Sequence, residues 1–307
     1  MSDPTEPAII ATFSVALGIF AITATTRRQL GKNELPVIEP TIIPEMMDDS
    51  PYAAPQSAPA SIPLPQKGVP TWFYNPLDLL GLGCIFLIFS GLIIGSLRMA
   101  EKAEKVMDAN GLIGSIIFQL IIAGIATSFV ISRVRPVEWL GLKWQRWPQV
   151  FLIAPPAVFL MWIVLGSLSA LGYMQWIDSL GVDSMQDSVK LLQEAKDPVL
   201  LGLMAIAAVI AAPVCEEIVF RGYVYPAAKK FVGPWIAGLC SALVFSAAHG
   251  SLVALLPIFI LGGLLAFIYE KTGSLWAPIA VHFCFNGATV AMQFAARFLN
   301  LPLDPPP

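Results

Sequence analysis

The sequence predicts an all-α fold, a polytopic membrane helix bundle with about eight transmembrane helices. Of its 307 residues, 56% are hydrophobic and only 13% are charged, whereas soluble domains carry roughly 25% charged residues. The mean hydropathy is +0.72. The apolar residues are gathered in stretches of about 20, the length at which a helix crosses a ~30 Å hydrocarbon core. These observations exclude a soluble enzyme and a largely disordered chain.

Eight apolar stretches give the predicted spans and divide the chain into five parts. The spans are 8–26, 78–97, 111–132, 149–172, 199–220, 233–249, 251–269 and 275–296. The parts are an N-terminal transmembrane helix (1–30), a Pro-rich linker (31–75), transmembrane helices with an outer surface loop (76–198), a core (199–296) and a short Pro-rich tail (297–307).

Two segments outside the spans have a distinct composition. Residues 36–70 contain nine prolines, which is typical of an extended tether between the first helix and the rest of the bundle. Residues 174–198 carry five acidic and two basic side chains, with apolar residues at helical spacing. This pattern predicts a helix that lies on the outer surface of the membrane.

The distribution of lysine and arginine predicts the orientation, because cytoplasmic loops are enriched in these residues. With the N-terminus outside, the inner segments hold 12 of them and the outer segments hold six. We therefore expect an integral, multi-pass protein of the cell (plasma) membrane with an outside N-terminus, surrounded by membrane lipid. The net charge is −3 and there is no run of five like charges, so nucleic acid is not expected as a partner.

The core contains charged residues that a membrane helix normally avoids. Seven residues of 199–296 are charged, and the sequence places Lys229-Lys230 and Glu270-Lys271 in the connections between helices. The remaining three are Glu216, Glu217 and Arg221, which follow a run of 17 uncharged residues. Ionisable groups at that depth are costly and by default indicate a functional site.

Helical spacing gives the two glutamates different expected roles. Glu217 and Arg221 are four residues apart on one face, in the order that favours an ion pair. Glu216 is rotated by about 100° from Glu217 and is left to face another neighbour. A salt-bridge cluster at a helix end is the structural alternative.

The two histidines of the chain favour a functional site instead. His249 shares a helix face with Phe245, four residues earlier, and His282 shares a face with Asn286, four residues later. A lone membrane histidine often serves only helix packing. Here Glu216, His249, His282 and Asn286 come from three predicted helices, and together they offer a general base, an imidazole and two donors for an oxyanion.

This set resembles the three-motif signature of the CPBP family of intramembrane proteases, which includes CAAX prenyl endopeptidases and bacteriocin-processing and immunity proteins. The motifs are Glu216-Glu217-x-x-x-Arg221, Phe245-x-x-x-His249 and His282-x-x-x-Asn286. The segment 263–276 also resembles the family's sequence ahead of the third motif. The resemblance covers roughly 199–293 and identifies 199–296 as a CPBP-type catalytic core.

The resemblance implies an endopeptidase that cleaves a membrane-associated peptide or protein. Glu216 would activate a water for attack on the peptide carbonyl, with His249 holding that water. His282 and Asn286 would stabilise the oxyanion, and Arg221 would fix Glu217. Phe245 belongs to the same motif as His249 and has a supporting place.

Whether the family's chemistry here needs a metal stays open at the level of the sequence. Glu216, His249 and His282 could supply three ligands to a divalent metal such as zinc and leave a fourth position open. The sequence contains no His-Glu-x-x-His motif, and the metal-free interpretation is preferred.

Two other functions are compatible with the same composition. One is a non-catalytic membrane scaffold or immunity-type protein that keeps the CPBP fold. The other is a proton- or ion-coupled transporter that uses Glu216 and the histidines as a relay, which the absence of an inverted repeat disfavours.

One geometric difficulty accompanies the predicted spans. With spans ending at 220 and 249, Glu216 lies at one end of its helix and His249 at the opposite end of the next. About 16 residues of helix separate those ends by roughly 24 Å, which is too far for a shared water. Either the helix before His249 is irregular or the predicted boundaries are wrong.

Overall fold

The computed structural model of the chain describes residues 3–31, 68–71, 76–100, 109–131, 134–183, 195 and 197–299. These residues form ten α-helices and no strand, together with a 3₁₀ turn at Trp147–Gln149. The helices are α1 (Thr5–Gln29), α2 (Pro76–Ala100), α3 (Ala109–Ile131), α4 (Pro136–Trp139), α5 (Val150–Ala170), α6 (Tyr173–Ser179), α7 (Pro198–Val232), α8 (Pro234–Ala247), α9 (Leu252–Thr272) and α10 (Trp276–Phe298).

The predicted all-α membrane bundle is confirmed. Within the described residues, seven helices are long and apolar enough to cross a membrane: α1, α2, α3, α5 with the 3₁₀ turn before it, α7, α9 and α10. The predicted span 233–249 is the shorter helix α8, whose 14 residues extend about 21 Å at 1.5 Å per residue. The chain is therefore an integral, multi-pass membrane protein.

Two predicted segments fall partly outside the described residues. Of the Pro-rich linker, the described part is residue 31 and residues 68–71. Of the predicted surface helix 174–198, the structure describes α6 and the few residues around it, while 184–194 lie outside the description. The tail beyond residue 299 also lies outside it.

Helix α7 is longer than predicted, which corrects the boundary at 220. It runs for 35 residues to Val232 and includes two π-helical segments, Ala207–Ala211 and Glu217–Val224. Lys229 and Lys230 are consequently not in a connection, and both are buried near the end of this helix. Glu216 therefore lies in the middle part of a long helix.

The extension of α7 removes the difficulty with His249. About 24 Å of helix separate Glu216 from Val232 at 1.5 Å per residue. Gly233 then reverses the chain in a conformation with φ of +82°, which glycine adopts without steric cost. Helix α8 returns over a similar length, so the residues that follow it, including His249, reach the level of Glu216.

Prolines inside the core helices leave carbonyl groups that side chains from other helices satisfy. Proline has no N–H, so a carbonyl one turn earlier loses its usual donor. Upstream of Pro226, the Gly222 carbonyl accepts from Trp139 Nε1 at 2.7 Å. Upstream of Pro257, the Val253 carbonyl accepts from the hydroxyl of Tyr173 at 3.2 Å. These bonds connect α4 and α6 to the core.

A backbone carbonyl also loses its usual donor at Pro213, beside the first π-helical segment. The carbonyl of Ala208, five residues before Pro213, accepts from Asn286 Nδ2 at 2.8 Å. π-helical turns are rare and occur frequently at functional sites. Helix α10 is thus joined to α7 close to the predicted site residues.

Contacts between helix ends and connections show which chain segments share one end of the bundle. Lys229 Nζ donates to the Val69 carbonyl at 2.6 Å and to the Glu270 carboxylate at 2.7 and 2.8 Å. The Leu275 N–H donates to the Leu140 carbonyl at 2.9 Å. The segments on the inner side of the predicted topology therefore lie together. Which membrane face they meet stays a prediction from the lysine and arginine count.

Candidate functional site

Five helices (α5, α7, α8, α9 and α10) and one connection line a cavity of about 380 Å³, called the main cavity below. It is lined by all four residues that the sequence predicts to be catalytic: Glu216 from α7, His249 from the connection after α8, and His282 and Asn286 from α10. Its other walls are mostly apolar and include Leu165, Met204, Ala212, Pro257, Ile258, Leu261, Phe285 and Val290. The structure thus brings the three motifs to one place.

A buried ion pair lies directly behind this cavity. Glu217 Oε1 is 2.9 Å from Arg221 Nη1, and both side chains are fully buried. Arg221 Nη2 donates to the Gly262 carbonyl of α9 at 3.0 Å. Its guanidinium carbon lies 4.2 Å from the centre of the Phe245 ring, within the range of a cation–π interaction. Arg221 therefore links α7 to α8 and α9, and Phe245 provides its supporting surface.

Glu217 also holds His282. Its Oε1 lies 3.1 Å from His282 Nδ1, so the same oxygen contacts both an arginine and an imidazole. A carboxylate accepts hydrogen bonds and does not donate them, so Nδ1 carries a proton. Glu217 therefore fixes the orientation of the ring and leaves Nε2 as the nitrogen available to the main cavity.

His249 is oriented by the backbone instead. Its Nδ1 lies 2.8 Å from the Phe245 carbonyl, which can only accept, so Nδ1 is again the protonated nitrogen. The His249 ring packs edge-to-face on the Phe245 ring, with the centroids 4.9 Å apart. Both histidines are thus fixed through Nδ1, and the Nε2 atom of each is left for chemistry.

Glu216 differs from Glu217 in having no fixed partner. Its Oε2 is shielded from solvent and has no hydrogen-bond partner among the described residues. The His282 Nε2 atom lies 3.9 Å from this oxygen, which is beyond hydrogen-bond length. A buried carboxylate oxygen without a donor is costly, which favours a water or a substrate group at this position.

Residues 198–288 match a family model described as "Type II CAAX prenyl endopeptidase Rce1-like". The chain is also 36% identical over 91 residues to the "Putative membrane peptidase YdiL" of Bacillus subtilis (strain 168). Residues 198–288 form a CPBP-family domain. The aligned region is 30% of this chain and 37% of YdiL, so the chain spans well under two thirds of that relative. No solved structure matches the chain.

The metal-ligand set left open by the sequence is not assembled in the CPBP domain. Among the described residues, no group of three or more His, Cys, Asp and Glu side chains is placed to hold a metal ion. Glu216, His249 and His282 line the same cavity without forming such a group.

Asn286 has a structural contact as well as a place in the cavity. Its Nδ2 donates to the Ala208 carbonyl, so one N–H of the amide supports α7. An amide group carries a second N–H on the same nitrogen, and this N–H is left to donate to an oxyanion.

Sequence reasoning missed one ion pair of the CPBP domain. Glu270 accepts from Lys229, from the hydroxyl of Tyr225 at 2.8 Å and from the Val69 N–H at 3.1 Å. These contacts attach residues 68–71, just before α2, to the ends of α7 and α9. The signal for it was the paired occurrence of Lys229-Lys230 and Glu270-Lys271 in an otherwise uncharged region, which the sequence placed in connections.

Proposed function

We propose that this protein is an intramembrane endopeptidase that hydrolyses a peptide bond in a membrane-associated substrate, using a water activated by Glu216. The observation that carries the proposal is the unpartnered, shielded Oε2 of Glu216 in a cavity that His249 and His282 also line. The family match and the relationship to a protein described as a membrane peptidase support the same class of reaction.

The first step is the activation of water. A water bound between Glu216 Oε2 and His282 Nε2, which are 3.9 Å apart, lies within hydrogen-bond reach of both. His249 Nε2 accepts a hydrogen bond from the other O–H of this water and orients it. Glu216 takes one proton as the water oxygen bonds to the peptide carbonyl carbon, and later gives it to the leaving amine as the C–N bond breaks.

The negative charge that develops on the carbonyl oxygen needs donors. Because Nδ1 already donates to Glu217, Nε2 can donate to the oxyanion only from the imidazolium form of His282. Its Nε2–H and the second N–H of Asn286 then donate to the oxyanion.

The walls of the main cavity indicate the kind of substrate. Apart from the polar residues of the site, its lining is predominantly aliphatic and aromatic. Such a surface favours an apolar segment over a charged one. We therefore propose a lipid-embedded or lipid-modified peptide as the substrate, and membrane lipid as the surroundings of the reaction.

The test is peptide cleavage by purified protein in phospholipid vesicles. The probes are farnesylated and unmodified peptides ending in Cys-Val-Leu-Ser and a set of synthetic transmembrane peptides, with products identified by mass spectrometry in ¹⁸O water. We expect incorporation of ¹⁸O by the unaltered chain and a loss of at least ~100-fold in Glu216→Gln, because the general base is removed.

The matched control is Glu138→Gln, the same chemical change at an exposed glutamate of α4 outside the cavity. It should cleave like the unaltered chain. Undiminished ¹⁸O incorporation by Glu216→Gln would refute the mechanism. Inhibition by a zinc chelator with recovery on zinc addition would instead show that a metal takes part.

A further inference from the structure

A second cavity, called the side cavity below, lies against the same two site residues. Its volume is about 190 Å³, and Glu216 and His249 line both it and the main cavity. The other walls of the side cavity come from α2, α3, α7 and the end of α8: Phe89, Ser115, Phe118, Gln119, Ile122, Cys215, Val219, Phe220 and Ala248. Glu216 and His249 thus stand where the two cavities adjoin.

A substrate that places its scissile bond at Glu216 therefore extends into a cavity on each side. Proteolysis requires an extended backbone at the reacting bond, and each residue beside it carries an N–H and a carbonyl group. In an apolar site these groups need hydrogen-bond partners from the protein. Apart from Glu216 and His249, the polar side chains of the side cavity are those of Gln119 and Ser115, together with the thiol of Cys215.

Gln119 is a polar residue of α3 whose side-chain oxygen has no hydrogen bond within its own helix. Its Oε1 is shielded from solvent and has no hydrogen-bond partner in the part of the chain that the structure describes. Its Nε2 lies 3.5 Å from Ser115 Oγ, at the outer limit for a hydrogen bond. By contrast, Thr127 and Ser128 donate to carbonyls of their own helix, both at 2.7 Å.

We propose that Gln119 binds the backbone of the substrate in the side cavity and so positions the scissile bond against Glu216. A carboxamide offers an acceptor and a donor group, as a peptide group does, and this holds for either assignment of its oxygen and nitrogen. The unpartnered acceptor takes a substrate N–H. Gln119 is thus a positioning residue, and this inference rests on the proposed endopeptidase function.

The test measures binding separately from cleavage. In the Glu216→Gln background, the dissociation constant of the farnesylated peptide ending in Cys-Val-Leu-Ser is measured by fluorescence anisotropy with and without Gln119→Leu. We expect about a 3- to 10-fold weaker binding, the effect of one net hydrogen bond. Ser128→Ala on the same helix is the control and should leave binding unchanged.

Ester analogues of the peptide separate recognition from a general structural effect. In each analogue one backbone N–H near the scissile bond is replaced by oxygen. One of them should bind 3- to 10-fold more weakly than the parent peptide to Glu216→Gln. The same analogue should bind no more weakly than the parent to Glu216→Gln/Gln119→Leu, because the bond is already absent. The variant Gln119→Met repeats the test with a different apolar side chain.

Equal dissociation constants with and without Gln119→Leu, or a series of esters that all bind like the parent, would overturn the assignment of Gln119. A failure of the proposed function is seen differently, as retained cleavage by Glu216→Gln. In that case the binding measurement still decides whether Gln119 contacts the peptide.

Discussion

Replacing Arg221 with methionine keeps a long side chain in place but deletes the charge that faces Glu217. Arg221 loses an ion pair of 2.9 Å with Glu217 and a hydrogen bond of 3.0 Å to the Gly262 carbonyl. Both partners of the ion pair are fully buried, so Glu217 cannot turn to solvent for compensation. Removing one partner of a buried pair costs about 3–5 kcal/mol, and we expect Arg221→Met to lower the free energy of unfolding by that amount.

The same variant should impair cleavage, although Arg221 does not line the main cavity. Its effect passes through Glu217, which holds the His282 ring at 3.1 Å. A displacement of about 1 Å at a reacting group can cost roughly 100-fold in rate. The cleavage rate of Arg221→Lys should fall between those of the unaltered chain and Arg221→Met, because an ammonium cannot reproduce the fork that contacts Glu217 and Gly262 together.

Stability can be followed by tryptophan fluorescence during unfolding in mixed micelles with increasing dodecyl sulfate, since the chain has eight tryptophans. The control is Arg98→Met, because Arg98 pairs with Glu6 at an exposed site and should change the unfolding free energy by less than ~1 kcal/mol. In a double-mutant cycle, Arg221→Met with Glu217→Gln should be less destabilised than the sum of the single changes. An additive cycle, or a loss below ~1 kcal/mol in Arg221→Met, would refute the reasoning.

Two further changes test contacts that attach the domain to the rest of the bundle. Lys229→Met removes the cation of the Lys229–Glu270 pair, whose side chains are 7% and 21% exposed. It should lower the unfolding free energy by about 2–3 kcal/mol in the same micelle titration, and a change within ~0.5 kcal/mol would contradict that role. Gly141→Ala adds a Cβ against the Gly273 carbonyl at a φ of +61°, and we expect a loss of about 1–3 kcal/mol in thermal unfolding. Gly172→Ala, also at positive φ but with only the Gln175 Oε1 atom near the added Cβ, at the ordinary contact distance of 3.8 Å, should lose less, and equal losses would argue against the Gly273 contact.

Much of the site's arrangement followed from spacing, because helical periodicity fixes which side chains share a face. The separation of four residues predicted the Glu217–Arg221 pair, and the structure has it at 2.9 Å. The predicted convergence of Glu216, His249, His282 and Asn286 corresponds to one cavity in the structure. The catalytic roles given to these residues stay predictions.

The partners that come from elsewhere in the chain had no comparable signal. Trp139 donates to the Gly222 carbonyl of α7 because Pro226 removes the usual donor, and the Gly262 carbonyl accepts from Arg221 because α9 passes close to α7. π-helical segments have no strong residue preference that a sequence displays, and a carbonyl is present at every residue. Such contacts depend on three-dimensional packing, which periodicity alone does not supply.

The wrong helix boundary and the missed ion pair have one physical cause. The sequence placed Lys229 and Lys230 outside the membrane because isolated charges are costly within it. In the structure the charge of Lys229 is paired with Glu270 and hydrogen-bonded to the Val69 carbonyl. These contacts offset the energetic cost of burying the charge, and α7 continues to Val232. That continuation moves Glu216 away from the helix end and allows the 14-residue helix α8 to return His249 to the same level. The ion pair at one end of the bundle therefore helps to determine the geometry of the site about 20 Å along the helix.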